Sequence, residues 1–280
     1  MSQRHKSPPA GWHAPNRRQT LALVGSGLAG TATGSVAEEG LAPLDLSGHR
    51  LSFSEDFDRP PEVSAWGPSK WIAHTPWNGD FGAARFTDPG PGQAWATTDG
   101  LLRITARRGD AASGGRWTTG LLASSDRAGG GFRQALGYFE ARLRFPLARG
   151  VWPAFWLVAT HPAGPRVEID VVEFYGRQPQ QFRCVAHLWP NGSGRPAWGQ
   201  GNATAYGADT RPDDFNLYGA MVTADAITYY FNRRPVWRVA APADMREQRL
   251  TVLVNLAIEP DIEPGEHRMD VDHVRAWAAA

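Results

Sequence analysis

The chain has 280 residues, 12 of them Trp, with 31 Gly, 22 Pro and a formal net charge of +1. Near-neutral charge argues against a nucleic-acid-binding scaffold, and a single cysteine, Cys184, excludes an intramolecular disulfide framework. The length suits one large β domain or two small ones, and no fixed-period repeat, long heptad pattern or oligomer-specifying pattern appears.

Residues 1–37 stand apart. They carry Arg4, Lys6, Arg17 and Arg18 and no acid, so their removal lowers the net charge from +1 to −3. Paired arginines precede the weakly apolar run 22–36, and Ser35-Val36-Ala37 places small residues where a signal peptidase reads. The pattern resembles a twin-arginine signal on a disordered N-terminus and predicts export to the periplasm or the outside; a disordered tail with a chance Arg pair is the alternative. The run is too short and Gly-rich for a membrane span, so no membrane contact is expected once it is removed. Residues 38–280 are expected to form one catalytic-size domain.

From Leu41 the pattern is β. Strands are predicted at 51–57, 100–106 and 120–125, with Gly/Pro-rich connections through 66–92. The segment 137–145 alternates, with Phe139, Ala141, Leu143 and Phe145 on one face and Tyr138, Glu140, Arg142 and Arg144 on the other. The run 150–160 is almost wholly apolar and reads as a buried strand. Strands follow at 167–173, 182–189 and 217–223. A hairpin over 226–239 turns at 232–234, and strands at 249–258 and 267–277 come last. Cys184 is expected to be a small core residue. About a dozen short strands with little helical pattern predict an all-β, antiparallel sandwich or barrel.

The informative strand is Glu168-Ile169-Asp170-Val171-Val172-Glu173. Alternation puts Glu168 and Asp170 on one face and Val167, Ile169 and Val171 on the other. Strict alternation would then drive Glu173 into the aliphatic side, where an unpaired carboxylate is costly. A one-residue bulge near Val171-Val172 restores it to the acidic face. Two carboxylates flanking a glycosidic bond suffice for hydrolysis with retention, and a third between them, Asp170, can hydrogen-bond one neighbour while like-charge repulsion favours a protonated carboxyl beside it. Two blander readings stay open: a solvated polar face paired with Arg142, Arg144 or Arg166, or a calcium site. Trp152 and Trp156 in the preceding strand, and His187 and Trp189 in the following one, fall on shared faces and offer flat groups for sugar C–H surfaces. Without a His/Cys cluster, no metal centre is expected.

Several segments together resemble glycoside hydrolase family 16 in its laminarinase-like form, which has two residues between Asp and the second Glu. They are Glu168–Glu173, Gly150-Val-Trp152-Pro-Ala-Phe-Trp156-Leu, Gly137-Tyr-Phe-Glu140-Ala-Arg142, Asp214-Phe-Asn-Leu-Tyr218 and Met269-Asp-Val-Asp272-His-Val-Arg275. Asn216 and His273 depart from the usual His and Tyr. The resemblance implies a jelly-roll (concanavalin-like) sandwich with a concave glycan-binding cleft, with Glu168 as nucleophile, Asp170 as helper and Glu173 as general acid/base. It implies sugar contacts from Trp152, Trp156 and His187, to which the strand spacing adds Trp189. The stretch 71–88 is similar to that of bacterial exopolysaccharide-cutting members and points to Trp77 and Asn78 as further contacts. No cofactor is required, although a structural calcium with Glu55 and Asp272 as ligands is compatible with the family. The expected partner is a polysaccharide: a β-1,3- or mixed-linkage glucan or an exopolysaccharide, cut by a retaining endo-β-glycanase. A non-catalytic carbohydrate-binding protein of the same fold and a transglycosylase are the alternatives.

Overall fold

The computed structural model describes residues 41–77, 79–109, 115–160, 164–190 and 194–280. The expected export segment and Asn78 therefore lie outside the described residues.

The first strands are β1 (His49–Glu55), β2 (Val63–Ser64), β3 (Trp71–Ile72), β4 (Ala84–Phe86), β5 (Trp95–Thr98), β6 (Leu101–Arg108), β7 (Trp117–Thr119) and β8 (Leu121–Ala123). Then come β9 (Gly137–Arg144), β10 (Val151–Ala159), β11 (Arg166–Phe174), β12 (Gln181–Trp189), β13 (Trp198–Ala205) and β14 (Asn216–Val222). The last four are β15 (Ala226–Phe231), β16 (Arg234–Ala240), β17 (Leu250–Ile258) and β18 (His267–Ala279). One sheet runs β16-β15-β14-β9-β18-β6-β7-β4, with β1 beside β18 and β5 beside β6. The other runs β13-β12-β11-β10-β17-β8-β3-β2. Pairing is antiparallel except for β2 with β3 and β4 with β7, which are parallel. Among the described residues no helix is long and apolar enough to cross a membrane.

The sheets face each other across one apolar core. From β9 it takes Phe139, Ala141 and Leu143; from β10, Val151, Phe155 and Leu157; from β12, Phe182, Cys184 and Ala186. Each fully buried Val, Leu or Phe side chain among these contributes about 1.5–3 kcal/mol relative to an exposed one. Cys184 is a core residue, as its flanking pattern predicts, and burial pushes its thiol well above the usual range.

Two departures from the sequence expectation are instructive. Strand β13 was not anticipated, because its Gly199, Gly201, Ala203 and Asn202 are poor strand formers. It is nonetheless held along its length by β12, from Gln181↔Ala205 to Leu188↔Trp198. The polar face of β9 is also less exposed than alternation implies: Tyr138 and Glu140 are completely buried. Glu140 accepts both Arg233 nitrogens at 2.9 Å and the Tyr138 hydroxyl at 3.0 Å. His273 Nε2 stands 3.7 Å away, at ion-pair distance. Arg233 reaches Glu140 from the two-residue β15–β16 turn, where Asn232 and Arg233 both adopt the left-handed conformation that such hairpins require (φ 49° and 62°).

Candidate active site

The bulge in β11 sits where the acid spacing requires it. Register with β12 shifts between Asp170 and Glu173, and opposite β10 the partner of Phe155 is Val172 while that of Trp156 is Asp170. Val171 and Val172 both enter the core, so two successive side chains point the same way and the phase is reset. Glu168, Asp170 and Glu173 consequently share the outer face of the eight-stranded sheet, and all three are buried, at 3%, 1% and 8% exposure.

Each acid has neighbours supplied by strand register. Glu168 lies opposite His187, Asp170 opposite Val185 and Glu173 opposite Arg183 on β12. His187 Nε2 is 3.9 Å from Asp170 Oδ2. At the other end, Trp152 Nε1 and the Tyr175 hydroxyl donate to the same oxygen of Glu173, Oε1, at 3.0 and 3.1 Å. Their rings stack with centroids 5.5 Å apart, and Arg177 covers Tyr175 while pairing with Glu259 at 2.6 Å. Burial raises the Glu259 carboxyl above its usual range, and Arg177 offsets part of that rise. Gly176 permits this corner, since a Cβ there would run into the Ala148 carbonyl.

The expected sugar-contacting aromatics divide into two groups. Trp152 and His187 border the acids directly. Trp156 stands opposite Asp170 in the β10–β11 register but has no exposed surface: it donates its indole N–H to Asn255 Oδ1 at 2.8 Å and is covered by Trp77 and Phe81 at 6.0 Å each. The segment carrying Trp77, Phe81 and Phe86 folds over β10, β17 and β8, forming a second apolar layer with Ala154, Trp156, Leu253 and Ala123. Trp156 is therefore a floor residue, and alternation alone could not distinguish floor from surface. Trp189 is 1% exposed and sits 5.5 Å from His187. The Arg166 guanidinium lies between Trp77 and Trp189, 5.8 and 5.9 Å from their rings. Burial pushes Arg166 below its usual range, and the charge of Glu168 acts in the opposite direction.

The blander readings of the acids fare differently. Arg142 and Arg144 belong to the opposite sheet, where they pair with Asp272 and Asp270, so neither solvates the acidic strand. The sequence shows no His/Cys cluster, yet the fold assembles a mixed one: ligand atoms of Glu168, Asp170 and His187 lie within 4.8 Å of one another. The two acids named as calcium ligands, Glu55 and Asp272, each have protein partners. Glu55 accepts from Lys70, Trp71 Nε1 and the Phe57 amide, while Asp272 has one oxygen on Arg142 and the other on His273 Nδ1. Tyr175 escaped the sequence reading, although a signal was present: once the bulge resets the phase, a residue two beyond Glu173 returns to the acidic face.

The fold and this face define a β-jelly-roll sandwich bearing three clustered carboxylates on one sheet. The chain belongs to the glycosyl hydrolases family 16, whose model matches residues 90–259. It is 29% identical over 263 residues to the endo-1,3-1,4-beta-glycanase EglC of Rhizobium meliloti, an alignment covering 84% of this chain and 53% of that protein. The chain thus spans about half the length of that relative. The laminarinase catalytic domain of Thermotoga maritima superimposes with a TM-score of 0.64 at 18% identity, covering 84% of this chain and 100% of that one. The endo-beta-1,3-glucanase of Pyrococcus furiosus does so with 0.65 at 19%, covering 83% and 95%.

Proposed function

We propose that this protein is a retaining endo-β-glycanase that hydrolyses O-glycosidic bonds within a β-1,3- or mixed-linkage glucan or a related exopolysaccharide. The observation that carries the reading is the β11 bulge, which returns Glu173 to the face of Glu168 and Asp170 and sets it beneath Trp152 and Tyr175. Glu168 attacks the anomeric carbon while Glu173 protonates the departing glycosidic oxygen. Glu173 then takes a proton from the water that releases the glycosyl-enzyme. An oxygen that already accepts two hydrogen bonds is poorly placed to carry a proton, so the transferable proton belongs on Glu173 Oε2, with Oε1 held as acceptor. Asp170, between the two and beside His187, orients Glu168. We further propose that residues 1–37 direct export and are removed, which the N-terminal sequence of the secreted protein tests.

Glu168→Gln and Glu173→Gln should each lower reducing-sugar release from laminarin and mixed-linkage β-glucan by orders of magnitude at unchanged circular dichroism. The first-formed product should keep the β configuration by NMR, and viscosity should fall ahead of reducing-end release. Full activity in either variant refutes the assignment. Glucan binding without any release would instead favour the non-catalytic carbohydrate-binding reading.

A further inference from the structure

We propose that Trp66, backed by His74 and Asp88, is a glycan-docking platform separate from the acids, taking the flat C–H face of a pyranose in a β-linked polysaccharide. The proposal rests on the glycanase reading above for the class of ligand. Trp66 is the one Trp among the exposed large apolar side chains of the described residues, at 45% exposure. One face of its indole is covered by the His74 imidazole, with centroids 4.4 Å apart and planes 10° from parallel, so the exposure belongs to the rest of the ring. His74 is itself 9% exposed, and its Nε2 is fixed on Asp88 Oδ1 at 2.8 Å.

The mount is also ordered. The Gly67 amide donates to Ser64 Oγ at 2.6 Å, and the strands on either side are tied by Trp71 N to Glu62 O and Ala73 N to Ser64 O. An aromatic ring left in water but held in one orientation is pre-organised for a ligand, because little conformational freedom remains to be lost on binding.

The surroundings favour a sugar over a protein. Leu51, the most exposed large apolar residue, belongs to β1 of the other sheet, and Leu147 follows β9 in that same sheet. Among the described residues Trp66, Leu51 and Leu147 are the exposed large apolar side chains, and Trp66 is the one of them that is aromatic. A single amphipathic ring with carboxylate and imidazole beside it suits a ligand whose faces are weakly apolar and whose edges are hydroxyls.

Position supports the same occupant. The turn bearing Trp66 joins β2 to β3, four to five strand spacings from β11 in the acid-bearing sheet. That is on the order of 20 Å, near enough for a polymer lying on the acids and too far for a short oligosaccharide to reach both places. Between them the Trp77–Phe86 layer covers β17 and β8, so the platform is a second foothold and not an extension of the acidic face.

Affinity electrophoresis in gels containing mixed-linkage β-1,3-1,4-glucan or laminarin, with dextran as control, tests this. The unaltered protein should be retarded by a β-glucan and not by dextran. Trp66→Ala should weaken that binding about tenfold, and Trp66→Phe should retain most of it. Trp66→Ala should cleave a short soluble laminari-oligosaccharide at the unaltered rate and the polymer more slowly. Equal retardation of the Ala variant and the unaltered protein overturns the platform, as does an unaltered protein that no β-glucan retards. Equal loss on oligosaccharide and polymer also overturns it, by making Trp66 part of the cleft or the fold. Failure of the unaltered protein to cleave any glucan counts against the glycanase reading instead, and the platform is then decided by retardation.

Discussion

Replacing Glu140 by glutamine removes a charge from a fully buried carboxylate of the ten-stranded sheet while keeping the shape of the side chain. Burial by itself would raise the Glu140 carboxyl, but contacts from His273, Arg233 and Tyr138 outweigh it and hold the group at about 2, against an ordinary 4.5. A displacement of that size corresponds to about 3 kcal/mol of folding stability at neutral pH. The folded value lies below the unfolded one, so the contribution is complete above the unfolded value and is lost as pH falls toward the folded one. By pH 3, about 2 kcal/mol of it should be gone. Urea unfolding of the unaltered protein and Glu140→Gln at pH 7 and pH 3 measures this directly. The stability gap should be about 3 kcal/mol at pH 7 and about 1 kcal/mol at pH 3. The comparison cancels titrating groups that do not contact Glu140, including Asp270, whose carboxyl is held low by Arg103 and Arg144 against the opposing effect of burial. A gap that is the same at both pH values, or absent at pH 7, refutes the reasoning.

Three further outcomes follow from the site. Tyr175→Phe deletes one of two donors on Glu173 Oε1, and kcat/KM should fall roughly 10- to 100-fold, the worth of a hydrogen bond to a charged group. Deleting Val171 removes the bulge and turns Glu173 toward the core at a cost of several kcal/mol, so the variant should be unfolded or inactive by circular dichroism and reducing-sugar assay. Trp156→Phe removes the bond to Asn255 and should lower stability by about 1–3 kcal/mol with KM unchanged; a raised KM at unchanged stability would put Trp156 back in contact with sugar.

Much of this architecture was legible because alternation is a strong signal when one face of a strand is apolar. The strand β9, the wholly buried β10 and the phase slip at Val171-Val172 all follow from it, and the slip could be inferred only because an unpaired Glu173 in the core would be too costly. Alternation reports which face a residue takes and not what lies above that face. Trp156 illustrates the gap: its side was legible, but the Trp77–Phe86 segment that seals it arrives from some 70 residues earlier in the chain. Tyr138 and Glu140 illustrate it again, since the pattern gives their shared face but not the long-range partners, such as Arg233 and His273, that bury them. Strand β13 is a different case, held by its neighbour's hydrogen bonds with little help from its own residues.

The order of the strands has a consequence for how the molecule is made. β1 pairs with β18, His49 opposite Ala279, and β17 lies between β10 and β8 near the middle of the acid-bearing sheet. Neither sheet can close until β17 and β18 leave the ribosome. At about 5–20 residues per second, β1 waits on the order of ten seconds or more for its partner, with open strand edges in the interval. The yield of active protein should therefore respond to slowed synthesis and to chaperones that shield nascent chains. The acids on β11 exist as a strand's worth of sequence long before they exist as a site.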